Sequence, residues 1–220
     1  MERIPEPELM DDPAQARAYA SADFSEPHQA FIEHFRAAFP DITLSGHVLD
    51  LGCGPADISI RFAKAYTDCR ILGVDAAAAM LAEGHAAVTR AGLEQRIELL
   101  HGYLPTVELP AHDYAAVICN SLLHHLHEPA VLWETICRYA ARGAPVCVMD
   151  LLRPASPAAA AALRDQYAAD APAVLQQDFY NSLLAAYSLD EVKLQLQSAG
   201  LSHLSAAVIS DRHWLVTGRR

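Results

Sequence analysis

Positive charge is scarce in this chain: 16 Lys and Arg stand against 27 Asp and Glu in 220 residues, a formal net charge of −11. A surface this acidic repels phosphate backbones, and no Lys/Arg run offsets it, so no nucleic-acid partner is expected. No apolar stretch is long enough to span a bilayer, so no membrane partner is expected either. The opening Met1–Pro7 has no basic segment leading into an apolar one, so no secretory signal is expected. The five cysteines (Cys53, Cys69, Cys119, Cys137 and Cys147) are odd in number and lack any CxxC spacing. That argues against a disulfide framework or zinc ribbon, and for a reducing, cytoplasmic setting. No internal repeat occurs.

What is present is an alternation. Short apolar runs at His47–Leu51, Arg70–Asp75, Ile97–Gly102, Tyr114–Asn120 and Pro145–Leu151 read as buried strands. Helical patterns separate most of them, at Asp57–Tyr66, Ala77–Ala91 and Pro129–Ala140. Strands alternating with helices imply a parallel sheet covered on both faces. The end differs: after the amphipathic Leu189–Ala199, the segments Leu204–Ile209 and Trp214–Thr217 are joined by four residues, too few for a crossover. They should form an antiparallel hairpin. The expected fold is therefore α/β and Rossmann-like, with seven strands, mostly parallel, closed by that hairpin. Residues 1–40 are expected to form a helical N-terminal lid and 41–220 the cofactor-binding unit of a single domain. Residues 153–187 are expected as an inserted second lid.

The first strand runs into Asp50-Leu51-Gly52-Cys53-Gly54-Pro55-Ala56-Asp57. In open α/β sheets a ligand binds at the carboxyl ends of the strands, and Gly52 and Gly54 permit a sharp turn and a close backbone approach. A pyrophosphate fingerprint wants glycine where Asp57 stands, which counts against an NAD-dependent oxidoreductase. A carboxylate there tolerates a cation better than a phosphate. Asp75, about 20 residues beyond the glycines, is placed to bind ribose hydroxyls, or to cap the next helix.

Val48–Gly54 (VLDLGCG), Gly73–Asp75 (GVD), Ala79–Leu81, Asn120–Leu126 (NSLLHHL) and Gly143–Asp150 (GAPVCVMD) together resemble the motifs of class I S-adenosylmethionine (SAM)-dependent methyltransferases, in order and in spacing. The resemblance implies SAM as cofactor and S-adenosylhomocysteine (SAH) as product. It implies that Gly52, Cys53 and Gly54 back the methionine moiety, with Asp50 orienting the loop. Asp75 and Ala76 would meet the ribose and Met80 the adenine. Gly102, Tyr103 and Leu104 would line the adenine edge, and Asn120 and Ser121 would lie beside the cofactor. The family often has Gly-Asp where this chain has Gly102-Tyr103, so adenine would be read by main chain or by the Tyr103 ring.

His124-His125-Leu126-His127-Glu128 follows the fourth strand, where the family faces the transferred methyl. His125, with His124, is the candidate for touching substrate or cofactor or taking a proton; the bland alternative is loop packing. No metal site is expected, because the spacing lacks HExxH and no carboxylate partner stands nearby. Tyr19, Phe24, Arg153, Tyr180 (within Asp178–Asn181), Asn181 and His213 are candidates for binding substrate. The chain lacks the Asn/Asp-Pro-Pro-Tyr/Phe and Pro-Cys signatures of base modification, and its short lids suit a small soluble metabolite. Pro5–Asp12 with Tyr19–Phe24 also resembles the methyltransferase portion of ovothiol-type pathways, which implies an imidazole nitrogen of a thiol- or selenol-substituted histidine as acceptor. Another N, O or S acceptor, a protein or RNA substrate, and a SAM-binding module without catalysis remain open. The oligomeric state is not legible.

Overall fold

The computed structural model describes residues 1–7 and 9–220; Glu8, part of the opening motif, lies outside them. Seven strands form one sheet: β1 (Gly46–Leu51), β2 (Cys69–Asp75), β3 (Ile97–His101), β4 (Ala116–Asn120), β5 (Pro145–Leu151), β6 (Ser205–Val208) and β7 (His213–Arg219). Their order is β3-β2-β1-β4-β5-β7-β6. The pairs among β1 to β5 are parallel, and β7 runs antiparallel to both β5 and β6. Between β1 and β4 the order reverses, which opens a crevice at the strands' carboxyl ends.

The hairpin is present, but its last strand lies inside. Trp214 and Val216 of β7 are fully buried, whereas the four residues of β6 are mostly exposed. The longer, buried strand takes the inner place and the short, small-residue one the edge, which limits the unpaired backbone.

Side chains alternate across the pleat and so feed two cores. Leu49, Leu51, Val117, Cys119, Val146 and Val148 meet Trp133 and Ile136 of α5 (Ala130–Tyr139) and Val192 and Leu196 of α8 (Leu189–Ser198). Val48, Ile118, Cys147 and Met149 meet Phe62 of α3 (Asp57–Ala65) and Phe31 and Phe35 of α2 (Ser25–Ala38). The stretch expected as an N-terminal lid therefore divides. α2 belongs to the core because its Phe31–Phe35 face is apolar. α1 (Pro13–Ser21) stays at the crevice, started by Asp12, whose carboxylate accepts from Ala14 N and Gln15 N. α1 packs on α4 (Ala78–Ala91), where Ala16, Met80, Tyr19 and Met10 meet. Residues 153–187 contribute α6 (Pro157–Tyr167) and α7 (Ala173–Ala185). All five cysteines are free. No helix of the described residues is long and apolar enough to cross a membrane.

Candidate active site

The turn after β1 is built by its glycines. Gly52 (φ 71°) and Gly54 (φ 50°) both occupy the left-handed region. Gly52 N and Cys53 N donate to Val74 O at 2.8 and 3.1 Å, which ties the loop to the end of β2. Asp75 then clamps it: Oδ2 accepts from Gly54 N and Oδ1 from Ala77 N, each at 2.8 Å. Asp75 thus ties the glycine loop to the start of α4, which is close to the helix-start role open to it in the sequence. Burial lifts its carboxyl above the ordinary range, against these backbone bonds.

Asp50 lies beneath the loop, buried, with Ser59 Oγ donating to it at 2.5 Å. Desolvation pushes it up to about 7, against that hydrogen bond. Asp57 accepts from His28 Nδ1 and Arg61 Nε, both at 2.7 Å. Burial alone would raise its carboxyl, but these partners outweigh burial and hold it below the usual range.

At the end of β4, Ser121 adopts φ 57°, a costly conformation for a residue with a side chain, and donates from its N–H to Met149 O. The reversal feeds a 3-10 turn, Leu123–His125. Asp150, the penultimate residue of β5, holds that turn. Its Oδ2 accepts from Leu123 N at 2.6 Å and His124 N at 3.3 Å, and its Oδ1 pairs with His124 Nδ1. Burial would lower the His124 imidazole, but Asp150, by charge and hydrogen bond, and Glu6 outweigh burial and raise it. His125 goes the other way: burial and the neighbouring His124 bring it down to about 3.

The glycine loop, Asp50, Asp57, Asp75, Ser121 and the two histidines line one cavity of about 820 Å³, with Ser59, Arg61 and Asp150 behind it. All twelve residues expected at a cofactor border it: Asp50, Gly52, Cys53, Gly54, Asp75, Ala76, Met80, Gly102, Tyr103, Leu104, Asn120 and Ser121. So do His124, His125, Tyr19, Phe24 and His213. Burial and Arg212 bring His213 down to about 4. Arg153, Tyr180 and Asn181 are placed elsewhere. Arg153 reaches Glu191 Oε1 at 2.8 Å and Ala186 O, bracing the start of α8. Tyr180 packs under Arg164, and Asn181 accepts from Gln177. Helical periodicity explains the difference: Leu175, Asp178, Phe179 and Ser182 share the face of α7 that borders the cavity, and 180 and 181 fall off it.

Two participants had no local sequence signal as partners of the histidines. Asp150 ends β5 beside β4, so the strand-end rule could have found it. Glu6 arrives from the extended N-terminal segment: its Oε1 lies 3.6 Å from His124 Nε2 and 3.4 Å from His125 Nδ1. The carboxylate partner missing from the sequence neighbourhood, on which a metal set was discounted, is supplied by the fold.

Comparison with known proteins agrees with this architecture. The family model described as a methyltransferase domain matches residues 48–143. No curated protein matches the chain in sequence. Among solved structures, one inferred to be a SAM-dependent methyltransferase of Methanococcus maripaludis superposes with a TM-score of 0.72, at 18% identity, over 97% of this chain and 95% of that one. A SAM-dependent methyltransferase from Aquifex aeolicus gives 0.66 at 18% identity, over 94% and 98%. The plantazolicin methyltransferase BpumL, in complex with a pentazolic desmethylPZN analog and SAH, gives 0.68 at 12% identity, over 94% and 92%. Residues 48–143 thus match the methyltransferase-domain model, and the chain as a whole carries the fold of these SAM-dependent methyltransferase structures.

Proposed function

We propose that the chain transfers a methyl group from SAM to a small soluble metabolite held in the same cavity. The observation that carries this is the pairing, at one switch point, of the Asp75-clamped glycine loop with an unsatisfied acceptor. Asn120 Oδ1 is buried, borders the cavity and has no hydrogen-bond partner. A cationic, hydroxyl-bearing group fits these residues. Asn120 Oδ1 offers an acceptor to an ammonium, Asp75 offers its remaining lone pairs to hydroxyls, and the floor is acidic.

Bound there, SAM would supply an electrophilic methyl on a sulfonium, and the protein need only align, desolvate and accept. In this reading Gly52 and Gly54 admit the cofactor's chain close to the main chain. Asp50, through Ser59, keeps the loop in place, and Met80 packs beside the base. Tyr19 and Phe24, with ring centroids 4.7 Å apart, close the mouth from the α1 side. Phe179 and His213 line the cavity beyond the cofactor residues. His124 and His125 face the acceptor. An imidazole held near 3 stays neutral at neutral pH, so His125 serves the substrate by contact and does not take its proton.

For the acceptor we propose the imidazole nitrogen of a thiol- or selenol-substituted histidine. The N-terminal resemblance supports this, as does the fold's use of that segment: Glu6, Leu9, Met10, Tyr19 and Phe24 all stand at or behind the cavity wall. Such a nitrogen needs little proton removal before attack. Incubation with labelled SAM and 5-mercaptohistidine should give a methylated product. SAH binding without that product would leave the class and sink the acceptor; absence of SAH binding would sink both.

A further inference from the structure

The Glu6–His124–His125 cluster has the form of a metal site. We propose that it binds one divalent transition-metal cation of the zinc type, through Glu6 Oε1, His124 Nε2 and His125 Nδ1, with a fourth position open to the substrate cavity.

Three observations carry this. The first is spacing. The three ligand atoms lie within 4.8 Å of one another, and Glu6 Oε1 stands 3.6 and 3.4 Å from the two imidazole nitrogens. Ligands bound at about 2.0–2.1 Å to a tetrahedral zinc stand roughly 3.4 Å apart, so the two separations from Glu6 Oε1 already match what such an ion requires. The second is the lack of any other partner. Glu6 Oε1 and His125 Nδ1 are buried and neither makes a hydrogen bond. The Glu6 side chain is only 10% exposed. Buried polar atoms are nearly always satisfied, and two that converge on one point call for a shared ligand.

The third is the outer shell. His124 turns its Nδ1 to Asp150, which fixes the ring and leaves Nε2 toward Glu6. Ser182 Oγ donates to Glu6 Oε2 at 3.3 Å, which leaves Oε1 toward the histidines. A carboxylate behind one ligand and a hydroxyl behind another are the supports that orient metal ligands. Two imidazoles and one carboxylate with a vacant position are a catalytic rather than a structural zinc set. His124, His125 and Ser182 border the cavity, so the vacant position faces the substrate. It would take a soft or nitrogenous donor, such as a thiolate or an imidazole, in place of water. That last step rests on the acceptor proposed above; the binding of metal does not.

The test uses the untagged chain, stripped with a chelator and dialysed. Titration with zinc should show one equivalent bound, and cobalt should develop the intense visible bands of a four-coordinate ion. Glu6→Gln and His125→Ala should each weaken zinc by about 100-fold or more, and Ser182→Ala by about tenfold. SAH affinity of these variants, measured alongside, should match the parent and so report an intact fold. Absence of saturable zinc binding by the parent chain overturns the proposal. So does binding that survives both ligand substitutions unchanged.

Discussion

Gly52 and Gly54 share a positive φ, but their surroundings differ, and that difference separates folding from binding. A Cβ at Gly52 would lie 2.8 Å from Leu122 Cβ and Cδ1, deep against the turn after β4. A Cβ at Gly54 would meet nothing within 4 Å, because that side of the loop faces the cavity. Either alanine incurs the left-handed penalty of about 1–2 kcal/mol. Only Gly52→Ala adds an overpacking cost of about 1–3 kcal/mol, since a crowded branched side chain must move. The expected loss is therefore about 2–5 kcal/mol for Gly52→Ala and about 1–2 kcal/mol for Gly54→Ala. For a chain of this size each kcal/mol lowers Tm by roughly 2–4 °C. Calorimetric melting should place Gly52→Ala well below Gly54→Ala. Titration with SAH should reverse the order of severity relative to stability: Gly54→Ala, still folded, should lose tenfold or more in affinity, because its methyl stands where the ligand approaches. Equal melting temperatures for the two variants would refute the packing argument. Unchanged SAH affinity in Gly54→Ala would refute the placement of the cofactor.

Two further substitutions test the acidic floor. Asp75→Ala removes the acceptor of two backbone N–H groups, Gly54 and Ala77, so it should cost about 2–4 kcal/mol and abolish measurable SAH binding, as read by melting and by calorimetric titration. Asp50 titrates near 7 in the fold, above its ordinary 3.8. Its contribution to stability is therefore complete below about pH 4 and lost as pH rises through about 7. The melting-temperature difference between the parent and Asp50→Asn should shift against the parent across that range, by on the order of 2–4 kcal/mol when converted; a pH-independent difference would show that Asp50 is ionised throughout.

The sheet, and the gathering of the glycine loop, Asp75 and Asn120 around one cavity, were legible for a shared reason. Strand period, glycine turns and strand-end carboxylates are local signals, and in a parallel α/β sheet local signals at successive strand ends converge on one crevice. Asp50, Asp75 and Asn120 lie 25 to 70 residues apart in sequence, yet each is read from its own strand. Side-chain direction on α7 was not legible, because without its packing partner a helix with apolar residues all round does not declare which face it turns inward. Leu183 and Leu184 are buried against Ala160 while Phe179 and Ser182 border the cavity, so neither face stands out as polar. Tyr180 and Asn181 were drawn from the wrong side of that helix for the cavity. The inner position of β7 followed from burial of Trp214, which the hairpin alone does not fix.

The least legible element, the first seven residues, is the one that completes the histidine end of the cavity. It has no periodic pattern, and its contacts span more than a hundred residues, so only the finished fold can place it. Arg3 is the fastener. Its Nε donates to Ala185 O at 2.5 Å, and its Nη2 donates to His124 O at 2.8 Å and Leu126 O at 3.2 Å, while its guanidinium lies 4.2 Å from the Tyr187 ring centroid. These carbonyls belong to α7 and to the histidine turn, so Arg3 joins the two walls between which Glu6 stands. Arg3→Ala should cost about 2–3 kcal/mol, since three carbonyls lose a charged donor in a half-buried site. Its effect on function should be lopsided. SAH affinity should hold, because the glycine loop, Asp75 and Asn120 make no contact with Arg3. Zinc affinity and the KM for the methyl acceptor should both worsen by about tenfold, because Glu6 loses its fixed position. Equal damage to SAH binding would mean that the N-terminal segment supports the whole fold rather than the histidine end of the cavity.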